Sequence, residues 1–295
     1  MFGKRPDGKK IKGISGFDRM AALFVGKTRV EATNYFTIDT CADVFDEYIK
    51  KNQAHGVQYT YRDIVIASLV RMFYLRKRLN RFVMLGDFYQ RNFIDVSMVV
   101  HKSLKIGAEE STIKCRFTGK ETIAEIKTAL DASIKQAVEG TNDTDLFTRA
   151  LTNTPTFFLR IVVGMIKLLD RWGMLSDNFL YTTSPFHCSI FFADLKSIHL
   201  DTVWHHLYNF GNCGFFVSMG KEKKKPVCCE KTNEIKAKRI VELGVSIEER
   251  FIDGLYYSGM IKAVRRIWEN PSCLEIAPKD DEIKREPLTP AQTKS

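Results

Sequence analysis

Hydrophobic residues recur along the chain with two periods, and segments of the two kinds interleave from the first third of the sequence to the last. Strict alternation is clearest at residues 241–247 (VELGVSI), and a spacing of three to four is clearest at residues 252–267. The first period predicts a strand with one buried face, and the second predicts an amphipathic helix. Because the segments alternate without a break in composition, we expect one mixed α/β domain.

The same periods predict further elements along the chain. The helix at residues 61–78 opens on Thr60 with Asp63 three positions later, which is a capping-box arrangement. Its body is apolar nearly all round, so we expect it to be buried. The other predicted helices are 42–52, 123–140 and 156–172, and the other predicted strands are 29–39, 82–90 (a hairpin turning at Gly86-Asp87), 93–101, 112–117, 188–195 and 214–220.

The two ends of the chain differ from this pattern. Residues 1–27 begin with a basic, glycine-containing segment, and we expect an extended flexible arm there. Residues 275–295 are charged and contain proline, and we expect a disordered tail. The folded domain is therefore predicted to occupy residues 28–274.

Residues 156–172 (TFFLRIVVGMIKLLDRW) form the most hydrophobic stretch of the chain. Arg160 and Lys167 interrupt it, and its longest uncharged run is far shorter than the ~20 residues that a membrane span needs. We therefore expect a buried or interface helix, with a helix lying on a membrane surface as the alternative. Membrane association is not favoured.

Composition narrows the classes of function. The 295 residues include 45 Lys+Arg and 35 Asp+Glu, a net charge of +10, which favours nucleic acid or an anionic small molecule as the partner. Basic residues are not interleaved with aromatic ones as in a nucleic-acid surface, so the small molecule is favoured. The seven cysteines form no CxxC and the six histidines form no HExxH, so we expect no metal site and reduced thiols in a cytoplasmic protein. Cys188 is interpreted as a buried, inert thiol.

The most specific signal is the segment LGVSIEERFIDGLYYSGMIKAVRRIWENP at residues 243–271. It resembles the end of the catalytic domain in dihydrolipoyl acyltransferases and chloramphenicol acetyltransferases, where a strand leads into His-x-x-x-Asp-Gly, a helix and a Glu/Asp-x-Pro closure. Asp253-Gly254 and Glu269-Asn270-Pro271 match that signature, whereas Glu249 stands at the histidine position. Supporting resemblances lie at residues 59–83, 184–198 and 214–225.

This resemblance implies a two-layer α/β sandwich of the CoA-dependent acyltransferase type. It implies transfer of an acyl group from acyl-CoA to a thiol or hydroxyl acceptor, in a homotrimer with the active-site channel between subunits. The family's aspartate, here Asp253, pairs with an arginine, for which Arg29 is the candidate. Ser189 is the candidate hydroxyl donor to the oxyanion. No lipoyl domain is expected, because residues 1–27 leave no room for one.

The glutamate at position 249 changes the expected chemistry, because the family's histidine acts as the general base. A carboxylate with a pKa of ~4.3 is a weaker base than an imidazole with a pKa of ~6.5, unless burial raises the carboxyl pKa. Glu249 is therefore a retuned base, a replacement in an inactive pseudoenzyme kept as a scaffold, or a mark of different chemistry. His205 or His206 is an alternative base, although these side chains also fit packing on the sheet and solvation.

The basic run KEKKK at residues 221–225 is predicted to lie in the hairpin between the last two strands. Its Lys221, Lys223 and Lys224 either form a solvated turn or attract the phosphates of CoA.

Overall fold

A mixed seven-stranded sheet forms the centre of the computed structural model, which describes residues 4–102, 110–140, 146, 154–228 and 234–282. The strands are β1 (Gly8–Lys10), β2 (Thr33–Cys41), β3 (Arg81–Met84), β4 (Asp87–Arg91), β5 (Ile94–His101), β6 (Glu110–Phe117), β7 (Ile190–Asp194), β8 (Phe215–Met219), β9 (Lys223–Cys228) and β10 (Ile235–Glu248). The helices are α1 (Gly16–Phe24), α2 (Ala42–Gln53), α3 (Tyr61–Leu75), α4 (Ile123–Glu139), α5 (Thr156–Arg171), α6 (Asp177–Thr182) and α7 (Gly254–Glu269).

The order of strands in the large sheet is β2-β10-β8-β7-β5-β6, and β9 pairs with the first half of β10. The pairs β5–β7 and β7–β8 are parallel, and the other pairs of this sheet are antiparallel. β1, β4 and β3 form a small separate sheet. The alternation at residues 241–247 is confirmed as the strand β10, which begins six residues earlier because β9 supplies a partner there.

Helices cover one face of the large sheet. α3 lies in this layer, and its predicted capping box is present, with Thr60 accepting from the amide of Asp63 and the Asp63 carboxylate accepting from the amide of Thr60. Most of α3 is buried, as predicted. At its centre, the indole of Trp268 on α7 donates to Ser68. The apolar face of β10 packs into the same core.

The opposite face of the sheet is covered by the segment at residues 199–214, which we call the covering loop. A second apolar cluster lies beneath it, where Phe191 of β7 and Phe216 of β8 stack with ring centroids 5.2 Å apart. Strand alternation turns these two side chains away from the helices. The chain therefore has a helical layer on one face and the covering loop on the other.

The expected flexible arm is wrong for residues 4–27, which contribute both β1 and α1. Arg5 is only 8% exposed and pairs with Asp7 and with Asp170 at the end of α5. The basic composition suggested solvation, but these two carboxylates neutralise the guanidinium and anchor the segment. The expected tail is described only as far as residue 282, and Asp280 accepts a hydrogen bond from Lys120.

Two further elements differ from prediction. The hairpin of β3 and β4 turns at Leu85-Gly86, both with positive φ, one residue before the predicted turn. The predicted basic turn is partly strand, because β9 begins at Lys223.

The helix α5 forms where predicted but is not buried within this chain. Asp170 is its only buried residue, and Phe157, Ile161, Met165 and Leu168 are each at least 46% exposed. We predicted that this helix is either buried inside the domain or part of an interface. Burial inside the domain is therefore wrong. No helix in the described part of the chain is long and apolar enough to cross a membrane.

Candidate active site

The segment that carries the sequence signature is a short turn between β10 and α7. β10 ends at Glu248, one 3-10 turn follows at Glu249–Phe251, and α7 begins at Gly254. The amide of Glu249 donates to the carbonyl of Ala32, which ties the turn to the start of β2. The Glu249 side chain is half-buried, and its carboxylate has no hydrogen-bond or ion-pair partner among the described residues, histidines included.

Glu248, the preceding residue, is completely buried between two guanidinium groups. Arg29 Nε lies 2.7 Å from one carboxylate oxygen, and Arg250 Nη2 lies 2.5 Å from the other. Arg29 also donates to the carbonyls of Tyr208 and Gly211 in the covering loop. The predicted pairing of Arg29 with Asp253 is therefore wrong, because Glu248 accepts the arginine inside the protein.

Asp253 has a structural role at the start of α7. Its carboxylate accepts a hydrogen bond from the amide of Tyr256 at 2.8 Å, so it caps the helix. Arg78 Nη1 lies 3.5 Å from its other oxygen, and the Asp253 side chain is 58% exposed. An acid at a helix N-terminus also suits the helix dipole. The arginine that approaches it comes from the 3-10 turn after α3, which the sequence did not indicate.

His205 and His206 lie in the covering loop and stack on each other, with ring centroids 4.6 Å apart. The His205 ring also stacks on Phe216 at 4.2 Å. Nδ1 of His205 is 2.7 Å from the carbonyl of His206, and Nδ1 of His206 is 3.0 Å from the carbonyl of Leu207. Since only a protonated Nδ1 can donate to a carbonyl, the neutral form of each ring has its lone pair on Nε2. Both rings therefore have the tautomer that a general base needs.

A cavity of about 620 Å³ lies beside the signature turn. Its wall includes Arg29 and Arg250, which are held by Glu248, and Asp170, which is held by Arg5. The wall has three further cations that form no ion pair within the described part of the chain: Lys27, Lys167 and Arg171. Sequence reasoning missed this cavity because the cations on its wall come from three separate segments, at residues 27–29, 167–171 and 250. We call it the basic cavity.

No family model matches the sequence, and no curated protein matches it. Solved structures do match. The cubic core of a pyruvate dehydrogenase multienzyme complex has a TM-score of 0.58 at 8% identity and covers 90% of this chain and 94% of that chain. The dihydrolipoamide acetyltransferase of Azotobacter vinelandii has a TM-score of 0.55 at 10% identity, covering 90% and 94%. A chloramphenicol acetyltransferase has a TM-score of 0.50 at 12% identity, covering 88% and 99%.

The chain has the fold of the CoA-dependent acyltransferases. The two-layer α/β fold predicted from the signature is thereby confirmed. The low sequence identities limit this likeness to the fold.

Within this acyltransferase fold, Ser189 lies immediately before β7 and is 2% exposed. Its hydroxyl donates to Asn80 Oδ1 at 2.6 Å and accepts from the amide of Asp95 at 3.1 Å. The proton that an oxyanion donor would offer is therefore engaged inside the protein. The neighbouring Cys188 is fully buried, and burial raises the pKa of its thiol well above the usual value, as expected for an inert cysteine.

The lysines of the basic run are spread over the surface of the acyltransferase fold. Lys223 Nζ lies 3.1 Å from Glu242 on β10, and Lys221 Nζ lies 3.8 Å from Asp201. Lys224 is exposed. Across the described residues there is no cluster of three or more His, Cys, Asp or Glu side chains suited to a metal ion.

Proposed function

We propose that this protein transfers an acyl group from acyl-CoA to a thiol or hydroxyl acceptor at the turn between β10 and α7. The observation that carries the proposal is the pairing of an acyltransferase fold with an unpartnered carboxylate, Glu249, at its signature turn. In the Azotobacter acetyltransferase, a histidine and the asparagine four positions after it are among the residues investigated for a role in the catalytic mechanism. Glu249 and Asp253 have the same separation.

Two groups are suited to take the acceptor's proton. Glu249 has a carboxylate without a partner in the described chain, and a carboxylate can accept a proton from a thiol as the sulfur attacks the thioester carbon. A carboxylate is ordinarily a weaker base than an imidazole, so this step is expected to be slower than with a histidine. His205 and His206 are the alternative, because their Nδ1 atoms face backbone carbonyls and Nε2 of each ring is left to accept a proton. Glu249 is favoured because it stands where the resembling sequences have their histidine.

The basic cavity is the proposed site for the anionic part of CoA. The phosphates of CoA carry several negative charges, which an unneutralised cation attracts more strongly than a cation already paired with a carboxylate. Lys27 and Arg171 fit this requirement better than Lys221 and Lys223, whose ammonium groups lie near Asp201 and Glu242.

A homotrimer is part of the proposal. One matching structure is described as the cubic core of a multienzyme complex, an assembly of many copies. The exposed apolar residues of α5, together with Phe17 and Phe24 of α1, give this chain surface that water solvates poorly. Light scattering in line with size-exclusion chromatography should give three times the mass of the chain, and a monomer would contradict this part.

A scaffold without catalysis is the second candidate. It is favoured by the absence of any histidine contact to Glu249 in the described chain and by the engagement of the Ser189 hydroxyl with Asn80. Such a protein would bind CoA and assemble without turning it over.

The test measures acylated acceptor by mass spectrometry, with acetyl-CoA and other short acyl-CoAs as donors and small thiols, dihydrolipoamide among them, as acceptors. Glu249→Gln should lower kcat/KM by about 10²-fold or more, since a general base contributes that much. Glu269→Gln, at the exposed end of α7, is the matched control and should keep the wild-type rate. Full activity in Glu249→Gln would remove Glu249 as the base, and loss in His205→Gln or His206→Gln would then identify a histidine. Binding of CoA without turnover of any donor would favour the scaffold.

CoA binding is tested separately by calorimetric titration. The double variant Lys27→Gln/Arg171→Gln should weaken CoA binding by at least tenfold, whereas Lys221→Gln/Lys224→Gln, equal in charge, should leave it unchanged. The reverse result would assign the phosphates to the basic run instead.

A further inference from the structure

A serine, a histidine and an aspartate lie in series at the C-terminal end of α5, and the aspartate, Asp170, also lines the basic cavity. Ser184 Oγ is 2.7 Å from Nδ1 of His187. Nε2 of His187 is 3.0 Å from Oδ1 of Asp170, which is an ion-pair distance without the alignment of a hydrogen bond. All three are buried, with exposed fractions of 6%, 3% and 4%. Ser184 and His187 share the turn after α6, and Asp170 is in the last turn of α5. The distances match a nucleophile, a base and the acid that orients the base.

The protonation states of these groups follow from their surroundings. Burial by itself would raise the pKa of Asp170, but His187 and the guanidinium of Arg5 outweigh it and hold this pKa at about 2. Burial lowers the pKa of His187 despite the neighbouring Asp170, which favours the neutral imidazole. In the tautomer with its N–H on Nε2, this N–H faces the carboxylate and Nδ1 has the lone pair. Ser184 donates its hydroxyl proton to that lone pair.

A half-buried lysine, Lys114, holds the turn that contains Ser184 and His187. Lys114 Nζ on β6 donates to the carbonyls of Leu180, Ser184 and His187 at 2.8, 2.5 and 3.0 Å. The charge of Lys114 therefore lies close to the serine backbone, where it favours negative charge that develops on a neighbouring oxygen.

Ser184 also lines an apolar cavity of about 410 Å³ between α5 and α6. This volume is in the range of small-molecule sites. The other side chains that shape it are mainly aliphatic and aromatic, and they include Val163, Ile166, Phe179, Phe186 and Phe210. A buried serine aligned with a base and facing an apolar cavity is suited to an uncharged acyl compound.

We propose that Ser184 is a second nucleophile of this protein, activated by His187 and oriented through Asp170, and that it hydrolyses carboxylic esters with small apolar groups. As Oγ bonds to the ester carbon, the serine proton passes to Nδ1 of His187. The bond to the alcohol oxygen then breaks, and the same proton leaves with the alcohol. Water, deprotonated by Nδ1, attacks the acyl-serine, and Ser184 leaves with that proton. The net reaction converts ester and water into acid and alcohol, and it uses neither CoA nor Glu249.

The test uses an alkyl fluorophosphonate, which phosphonylates activated serines, and p-nitrophenyl butyrate as the ester. Peptide mapping of the intact protein should find the phosphonyl group on Ser184. Ser184→Ala should lose the label and lower ester hydrolysis by about 10²-fold or more. Ser197→Ala, an exposed serine outside both cavities, is the matched control and should keep both signals.

Val163→Phe keeps the three polar residues and fills part of the cavity, so it should slow both labelling and hydrolysis while the thermal midpoint stays close to wild type. This variant separates the proposal from a folding defect in Ser184→Ala. A label on another serine, no label at all, or unchanged hydrolysis in Ser184→Ala would overturn the proposal.

Discussion

At the scale of single residues, Glu248 determines how the signature turn is held. Its carboxylate is inaccessible to solvent and lies between Arg29 and Arg250. Removing one partner of such a group leaves an uncompensated buried charge, which is far more costly than losing a surface pair.

We expect Glu248→Ala to lower the free energy of unfolding by about 3–5 kcal/mol, because Arg29 would remain buried without its carboxylate. Glu242→Ala on the same strand removes only the partly exposed contacts to Lys223 and Lys225 and should cost about 1 kcal/mol or less. Urea denaturation of both variants measures the difference. Equal losses of unfolding free energy in the two variants would mean that the buried ion pairs of Glu248 stabilise the protein no more than surface ion pairs do.

Ser189 provides a second residue-scale prediction. Its hydrogen bond to Asn80 is internal, so Ser189→Ala should destabilise the protein by about 1–2 kcal/mol and leave kcat unchanged. Loss of an oxyanion donor would instead lower kcat by about 10²–10³-fold. Unfolding measurements in a double-mutant cycle with Asn80→Ala isolate the contact, and a fall in kcat with unchanged stability would restore Ser189 to the catalytic site.

At the scale of elements, α5 shows what a hydrophobic period can and cannot predict. The spacing of its apolar residues fixed its helical form, and α5 spans almost the residues that were predicted. The same spacing arises whether the apolar face is covered by the parent domain or by another molecule. Its exposure could therefore not be derived from the sequence.

The candidate site also has some parts that the sequence predicts and others that it does not. The strand, turn and helix around Glu249 follow from local patterns, and they lie where expected. The partner of Arg29 is 219 positions away in the sequence, and no local pattern specifies it. The basic cavity and the Ser184 turn depend on the same kind of distant contact.

The exposed face of α5 leads to a prediction on assembly. Ile161→Ser/Met165→Ser should dissociate the proposed trimer, because both side chains are about half exposed in the isolated chain and would be buried by a neighbour. Leu255→Ser, at an 87% exposed position of α7, is the control and should leave the mass unchanged. Light scattering measures the mass, and a trimer that survives in the double variant would place the interface elsewhere.

At the scale of the whole molecule, Asp170 joins the N-terminal segment, α5 and the Ser184 turn. It contacts Arg5 and His187, and its pKa of about 2 lies below that of an unfolded aspartate. The folded state therefore favours the ionised carboxylate. The stabilisation that this ionised carboxylate gives to the folded state is complete above pH ~4 and is lost as the pH falls toward 2.

We expect Asp170→Asn to be less stable than wild type at neutral pH but to lose less stability on acidification. Between pH 5 and pH 2 the wild type should lose about 2 kcal/mol more of its free energy of unfolding than the variant. Denaturant unfolding at each pH measures this loss. Asp201→Asn, which removes an exposed carboxylate, should leave the wild-type slope unchanged. Parallel curves for Asp170→Asn and wild type would refute the prediction.

The position of β10 in the sheet has a consequence for biosynthesis. β2 pairs only with β10 in the described sheet, and β10 also joins β2 to β8. Translation at about 5–20 residues per second separates the emergence of β2 from that of β10 by roughly 10–40 seconds. Throughout that interval the nascent chain presents β2 without its neighbour, an open strand edge that invites pairing with other chains. Closure of the central sheet is therefore a late event on the ribosome or after release, and chaperones that shield such edges should raise the yield of native protein.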